Sequence, residues 1–181
     1  MIEKGGDYYQ AAADGMLMPS YSVVSKLFEK EYSRTFGSIS GDGMIENVEI
    51  LLQDYVANKG GKAKFQYTAD GEHYFVILCT PMILRTHERI VQASEVVMID
   101  ASGGVDKQRH RIYFCVTPCV AGALPLDIII TDSEKESVFV EALQCFKELL
   151  PSSAFYSQQY PQIFLTNIDL KEISAINKIY S

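Results

Sequence analysis

The sequence contains no tryptophan, three histidines and four cysteines among 181 residues. The histidines and cysteines never stand at the spacings typical of zinc ligands, such as C-x-x-C or H-x-x-x-H. Cys115 and Cys119 flank Pro118 in an apolar, strand-like segment. We therefore expect reduced, packed thiols rather than a zinc site. His87 and His110 have no neighbouring partner in the sequence, so we expect each at the surface or hydrogen-bonded in the core.

The chain also lacks a long apolar run and an excess of basic residues. Its opening, MIEKGGDYYQAAADGML, predicts neither a secretory signal nor a membrane span, so we expect an intracellular protein without a membrane partner. A net charge of −7 argues against coating nucleic acid by bulk charge. A DNA contact would need a local cationic patch, and the densest candidate is Lys107, Arg109 and Arg111, which flank His110.

The hydrophobic content of 48% and charged content of 22% are typical of a globular chain with a substantial core. Apolar residues at helical spacing predict helices over 22–36 and 44–58. These helices form a predicted N-terminal lead-in, residues 1–62. After residue 62 the spacing of apolar residues changes from helical to strand-like, and residues 63–181 form the predicted core.

The core segment predicts a mixed α/β fold. Ala69-Asp70-Gly71 separates two β-rich runs and predicts a hairpin, and a short helix should follow over 82–94. The remaining pattern predicts strands at 95–100, 111–117 and 126–131, a helix at 133–150 capped by Asp132 or Ser133, a polar loop at 152–161, a strand at 162–166 and a helix at 170–180. This β-β-β-α-β-α order predicts a three-stranded meander whose first strand pairs in parallel with the fourth.

Parallel pairing would bring two strand ends to one rim of the sheet. An acid, Asp100, ends the first strand in this prediction, and Asn167 follows Thr166 at the tip of the fourth. A two-metal site that cuts phosphodiesters needs several carboxylates at such a rim, because hard cations select oxygen ligands and their charge must be offset. Asp100 alone does not make that site, and an isolated strand-end aspartate is more often a turn former.

Several segments together resemble the central domain of Mutator-like element (MULE) transposases and the domesticated proteins related to them. The matching elements are the apolar run ending in Asp, EVVMID; the G-x-LPL segment, GALPLD; the acidic amphipathic helix, SEKESVFVEALQCFKELLP; the strand ending in Thr, PQIFLT; and the short helix after it. The resemblance covers roughly residues 74–179. It depends on the order of all five elements, because any one of them alone is a weak signal.

The resemblance implies a ribonuclease H-like fold, a nuclear location and an acidic triad that binds Mg²⁺ or Mn²⁺ to cut and join DNA. Asp100 matches the first catalytic aspartate of the family. The second aspartate position is occupied by Asn167, and the third acid would lie beyond Ser181. Asp169 and Glu172 are nearby substitute acids, but both fall in the segment that opens the last helix.

The leading hypothesis is a degenerate or domesticated transposase core with impaired DNA cleavage and strand transfer, because Asn167 brings no charge to neutralise a dication. One alternative is an active metal-dependent nuclease in which Asp169 or Glu172 replaces the second acid and a partner chain supplies the third. Another is a non-enzymatic module that binds DNA or protein through its sheet face or through residues 107–111, as a monomer or a homo-oligomer. The last alternative is a fragment without a function of its own.

Overall fold

The computed structural model describes residues 19–38, 41–104, 106 and 108–180. Contacts divide the chain into two compact units, Met1–Asn47 and Val48–Ser181. The first unit contains helix α1 (Tyr21–Phe36) and the start of helix α2 (Asp42–Lys59), which confirm the two predicted N-terminal helices. Gly37 ends α1 with a φ of 83°, a conformation that glycine adopts without a Cβ penalty.

The second unit is built around a six-stranded mixed sheet. Its strands are β1 (Lys62–Tyr67), β2 (Tyr74–Cys79), β3 (Val96–Gly103), β4 (Arg111–Cys119), β5 (Gly122–Thr131) and β6 (Ile163–Leu165). Their spatial order is β1-β2-β5-β4-β3-β6, and every neighbouring pair is antiparallel except β3 and β6. The predicted hairpin and the predicted meander are therefore confirmed.

The parallel pair of β3 and β6 is also confirmed. Val96, Val97 and Met98 lie opposite Ile163, Phe164 and Leu165. Parallel neighbours need a crossover connection, which helix α5 (Glu136–Leu149) supplies between β5 and β6. This crossover brings the carboxyl ends of β3 and β6 to the same rim of the sheet.

Helices α5 and α6 (Leu170–Tyr180) pack against one another and cover one face of the sheet. Phe139 of α5 stacks on Tyr113 with ring centroids 4.2 Å apart, and Tyr180 of α6 packs on Phe164 at 4.8 Å. On β3, Val97 and Ile99 are buried on this face, whereas Asp100 is exposed. Because side chains alternate along a strand, Asp100 projects from the opposite, open face.

The segment predicted as one short helix forms two, α3 (Pro81–Arg89) and α4 (Gln92–Glu95). Thr80 caps α3, because its hydroxyl accepts a hydrogen bond from the Ile83 N–H at 3.2 Å. Pro81 occupies the first turn, where its missing N–H leaves no helical hydrogen bond unmade.

Three local predictions are wrong. The first strand does not end at Asp100, because its pairing with β4 continues to Gly103 opposite Arg111. Helix α5 begins at Glu136 with Lys135 at its cap, and no side chain caps it. The predicted polar loop contains Phe155, which is buried and packs edge-on against His87. There the chain makes a tight turn over Ala154–Ser157, with left-handed backbone angles at Phe155 and Tyr156.

His87 is hydrogen-bonded in the core, which is one of the two positions expected for it. Its Nε2 donates to the Leu126 carbonyl at 2.9 Å, and its Nδ1 accepts from the Phe155 N–H at 3.3 Å. These bonds select the neutral imidazole, which has one donor and one acceptor nitrogen. Burial lowers the pKa of His87 to about 4.

Asp127 is fully buried in β5, a position that the sequence did not single out. Its Oδ1 accepts from the Ile128 N–H at 2.8 Å and from the Cys79 thiol at 3.9 Å. Its Oδ2 has no hydrogen-bond partner among the described residues. Burial raises the pKa of this carboxyl well above its usual range, because the charged form is poorly solvated there.

Replacing Asp127 by Asn should make stability less dependent on pH. A raised folded-state pKa means that the stabilising contribution of the acid is complete below the unfolded pKa, near 3.9, and is lost as pH rises toward the folded value. Above about pH 4, the unfolding free energy of Asp127→Asn should therefore increase relative to that of the natural chain, by up to about 1.4 kcal/mol per pH unit. Urea unfolding at several pH values measures this difference, and a constant difference would contradict it.

Candidate functional site

Asp100 and Asn167 meet at the rim where β3 and β6 lie side by side. The Nδ2 of Asn167 donates to Oδ1 of Asp100 across 3.4 Å. Both residues are exposed. Asp100 lies within β3 opposite Phe114, and Asn167 follows the end of β6 by two residues. The juxtaposition expected from parallel pairing is present.

The orientation of the Asn167 amide decides what this pair can bind. A carboxylate only accepts hydrogen bonds, so the amide presents its nitrogen to Asp100 and turns its carbonyl oxygen away. The bond is long and solvent-exposed, and it stabilises the fold little. The bond affects the rim locally. It places an N–H donor beside Asp100, whereas a carboxylate at position 167 would add negative charge there.

Glu172, one of the two substitute acids, is buried, with 4% of its surface exposed. Its Oε2 accepts a short hydrogen bond from the Thr166 hydroxyl. Its charge contributes to the raised pKa of Tyr113, a shift due first to burial. Because Tyr113 belongs to the covered face of the sheet, Glu172 lies toward that face, whereas Asp100 projects from the open one.

Asp169, the second substitute acid, opens helix α6. Its Oδ1 accepts from the Lys171 N–H at 2.8 Å, and its carbonyl accepts from the Ile173 N–H at 3.1 Å. This arrangement is typical of a residue that caps a helix, where a side-chain oxygen satisfies a free backbone donor. The structure therefore assigns Asp169 a local capping role.

The residues at the rim do not fit a two-ion centre. Such a centre needs several converging oxygen ligands with enough negative charge to offset two dications. Within the described ranges, no three His, Cys, Asp or Glu side chains are grouped so that they could hold a metal ion. Asp100 supplies one carboxylate, and its described neighbour is an amide donor.

The candidate basic turn is not a uniform cationic patch. Arg111 lies 3.5 Å from the Glu134 carboxylate and 5.9 Å from the ring centre of Tyr113, so its charge is partly offset. Arg109 is exposed and has a φ of 62°. Lys107 lies outside the described residues.

A second polar group lies near the same end of the sheet and was missed. His110 does not stand alone, because its ring nitrogens contact Asp106 and Tyr74. The D-x-x-x-H spacing of Asp106 and His110 was a signal for the first contact. No sequence signal indicated the second, because Tyr74 lies 36 residues away on β2.

Comparison of the chain with protein-family models, with curated proteins and with solved structures finds no match. The resemblance to Mutator-like transposases therefore stays a prediction that rests on the motifs of residues 74–179. In the part of the chain that the structure describes, no helix combines the length and hydrophobicity of a membrane span.

Thr166→Ala should destabilise the protein by about 1–3 kcal/mol, because it removes a hydrogen-bond donor from the buried Glu172 carboxylate. Thr166→Ser keeps the hydroxyl and should cost less. Chemical denaturation of the two variants beside the natural chain measures both effects. Equal losses for Ala and Ser would assign the effect to the threonine methyl group and contradict the role of the hydrogen bond.

Proposed function

We propose that residues 63–181 form a ribonuclease H-like domain related to Mutator-like transposases, retained in a degenerate or domesticated form without metal-dependent DNA cleavage. The observation that carries this proposal is the hydrogen bond from Asn167 to Asp100. At the position matched to the family's second aspartate, a neutral donor faces the first acid.

The sheet topology supports the fold assignment in this proposal. Three antiparallel strands, β3, β4 and β5, are followed by a crossover helix and by β6, which pairs in parallel with β3. This is the β-β-β-α-β-α arrangement that the resemblance implies. The mixed α/β class alone is compatible with other folds, so the specific order of strands is the stronger support.

The charge at the rim supports the loss of catalysis. Two dications close together need anionic ligands, and a single aspartate offsets only a quarter of their combined charge of about four. The substitute acids do not repair this deficit, because Glu172 is buried against Thr166 and Asp169 caps α6. The rim is therefore better suited to a structural or binding role than to phosphodiester cleavage.

The turn at 107–111 gives weaker support to DNA binding. Phosphate binding needs several concentrated cations, whereas Arg111 is paired with Glu134 and the chain as a whole carries a net charge of −7. We therefore prefer the proposal of a catalytically silent domain to that of a DNA-binding module. DNA binding through this turn stays the alternative.

Asn167→Asp should create a weak divalent-metal site, because it places a second carboxylate beside Asp100. Calorimetric titration with Mn²⁺ should show saturable heat for Asn167→Asp and none at this rim for the natural chain. At an Mn²⁺ concentration about 100 times Kd, the ion should raise the unfolding free energy of the variant by about 2.7 kcal/mol.

The control is the double variant Asp100→Ala with Asn167→Asp, which should lose the added binding. If the natural chain binds Mn²⁺ and Asp100→Ala abolishes it, the rim is a working metal site and the proposal is wrong; cleavage assays on DNA would then follow. If neither the natural chain nor Asn167→Asp binds, the loss cannot be assigned to Asn167.

A further inference from the structure

Tyr74, His110 and Asp106 form a hydrogen-bonded chain that takes no part in the rim at Asp100. The Tyr74 hydroxyl lies 2.6 Å from Nε2 of His110. Nδ1 of His110 contacts Oδ2 of Asp106 in a short hydrogen bond, and the His110 N–H donates to Oδ1 of the same carboxylate at 2.9 Å. One carboxylate thus holds both the backbone and the ring of His110.

The hydrogen bonds determine the direction in which protons are donated. A carboxylate accepts, so Nδ1 of His110 carries a hydrogen toward Asp106. In a neutral imidazole Nε2 is then the acceptor, and the Tyr74 hydroxyl donates to it. His110 is therefore oriented to receive the phenolic proton of Tyr74, which is the relation between a nucleophile and its base in covalent catalysis.

Asp106 places a carboxylate beside the imidazole that would receive this proton. Burial raises the pKa of Asp106, but its hydrogen bonds to His110 oppose this and leave the pKa below its usual value. The carboxyl is thus ionised near neutrality and offsets an imidazolium at His110. The side chain of His110 is 10% exposed and that of Asp106 is 40% exposed, so solvent reaches this contact from the Asp106 side and screens it in part.

The surroundings of Tyr74 select the kind of substrate. The ring centroids of Phe65 and Tyr67 lie 5.4 and 6.1 Å from that of Tyr74, so the three rings form an aromatic cluster. Burial raises the pKa of Tyr74, and the charges of Asp132 and Asp106 raise it further. A free phenolate is disfavoured and an anionic substrate is repelled, so a neutral, aromatic electrophile fits best.

We propose that Tyr74 is an acyl-accepting nucleophile, with His110 as its general base, Asp106 as the residue that positions His110, and a neutral aryl ester as the acyl donor. As the Tyr74 oxygen bonds to the ester carbonyl carbon, its proton passes to Nε2 of His110. The bond between that carbon and the aryl oxygen then breaks, and the leaving aryloxide takes the proton from His110 to become a phenol. The product is an ester on Tyr74, and no oxidant or metal is needed.

The test is acetylation of the natural chain by p-nitrophenyl acetate, followed residue by residue with peptide mass spectrometry. Tyr67 is the matched internal control, because it lies beside Tyr74 and is 47% exposed, whereas His110 bonds the Tyr74 hydroxyl. Tyr74 should be acetylated at least about 10 times faster than Tyr67, and Tyr74→Phe should remove this product. His110→Gln should slow the reaction at Tyr74 by about 10²-fold or more, as expected for loss of a general base.

Two further measurements separate catalysis from structure. In urea-unfolded chain, Tyr74 and Tyr67 should react at similar rates, so the ratio in the folded chain is decisive even if His110→Gln does not fold. Asp106→Asn should slow acetylation at Tyr74 and leave the rate at Tyr67 unchanged, because it removes the carboxylate oxygen that holds the ring of His110. Equal rates at Tyr74 and Tyr67 in the folded chain would overturn the proposal, as would an unchanged rate at Tyr74 in folded His110→Gln. This inference stands apart from the proposed function, since it does not use Asp100 or Asn167.

Discussion

The parallel hydrogen bonding of β3 with β6 is the contact on which the candidate rim depends. β6 pairs through only three residues, Ile163 to Leu165, at the edge of the sheet. So short a ladder gives little stability by itself, and packing on the covered face holds the strand in place. Phe164 contacts Tyr180, and Thr166 bonds the buried Glu172, so helix α6 secures β6 from behind. The register of β6 against β3 then determines which residue lies beside Asp100.

The two polar groups of this domain differ in how their charges are arranged. At the rim, Asp100 meets an amide in an exposed contact, and nothing in that contact stores or moves a proton. At Tyr74, an oriented imidazole stands between a carboxylate and a hydroxyl, and the group is partly shielded from water. Because electrostatic interactions strengthen as solvent is excluded, the second group is the better placed for chemistry. The proposed silent rim and the proposed reactive tyrosine are therefore compatible within one domain.

Much of the fold could be predicted because the spacing of apolar residues indicates whether a segment is a helix or a strand. The helical spacing of α1 and α2, the hairpin at Asp70-Gly71 and the crossover order leading to β6 all follow from local patterns. The errors arose where long-range contacts override local signals. Backbone pairing carries β3 past Asp100 to Gly103, and tertiary packing buries Phe155 inside a segment of polar residues.

The sequence by itself determined the order of elements and placed Asn167 after the strand that ends at Thr166, since these are properties of neighbours along the chain. The predicted resemblance to a transposase core rests on the same local patterns. The tertiary structure alone decided which polar groups meet or are buried. It placed Asp127 in the core and Glu172 against Thr166, and it brought Tyr74 to His110 from a distant strand. The physical reason is that burial and hydrogen-bond partners depend on which strands pair and which helices cover them, and no spacing within one segment records that information.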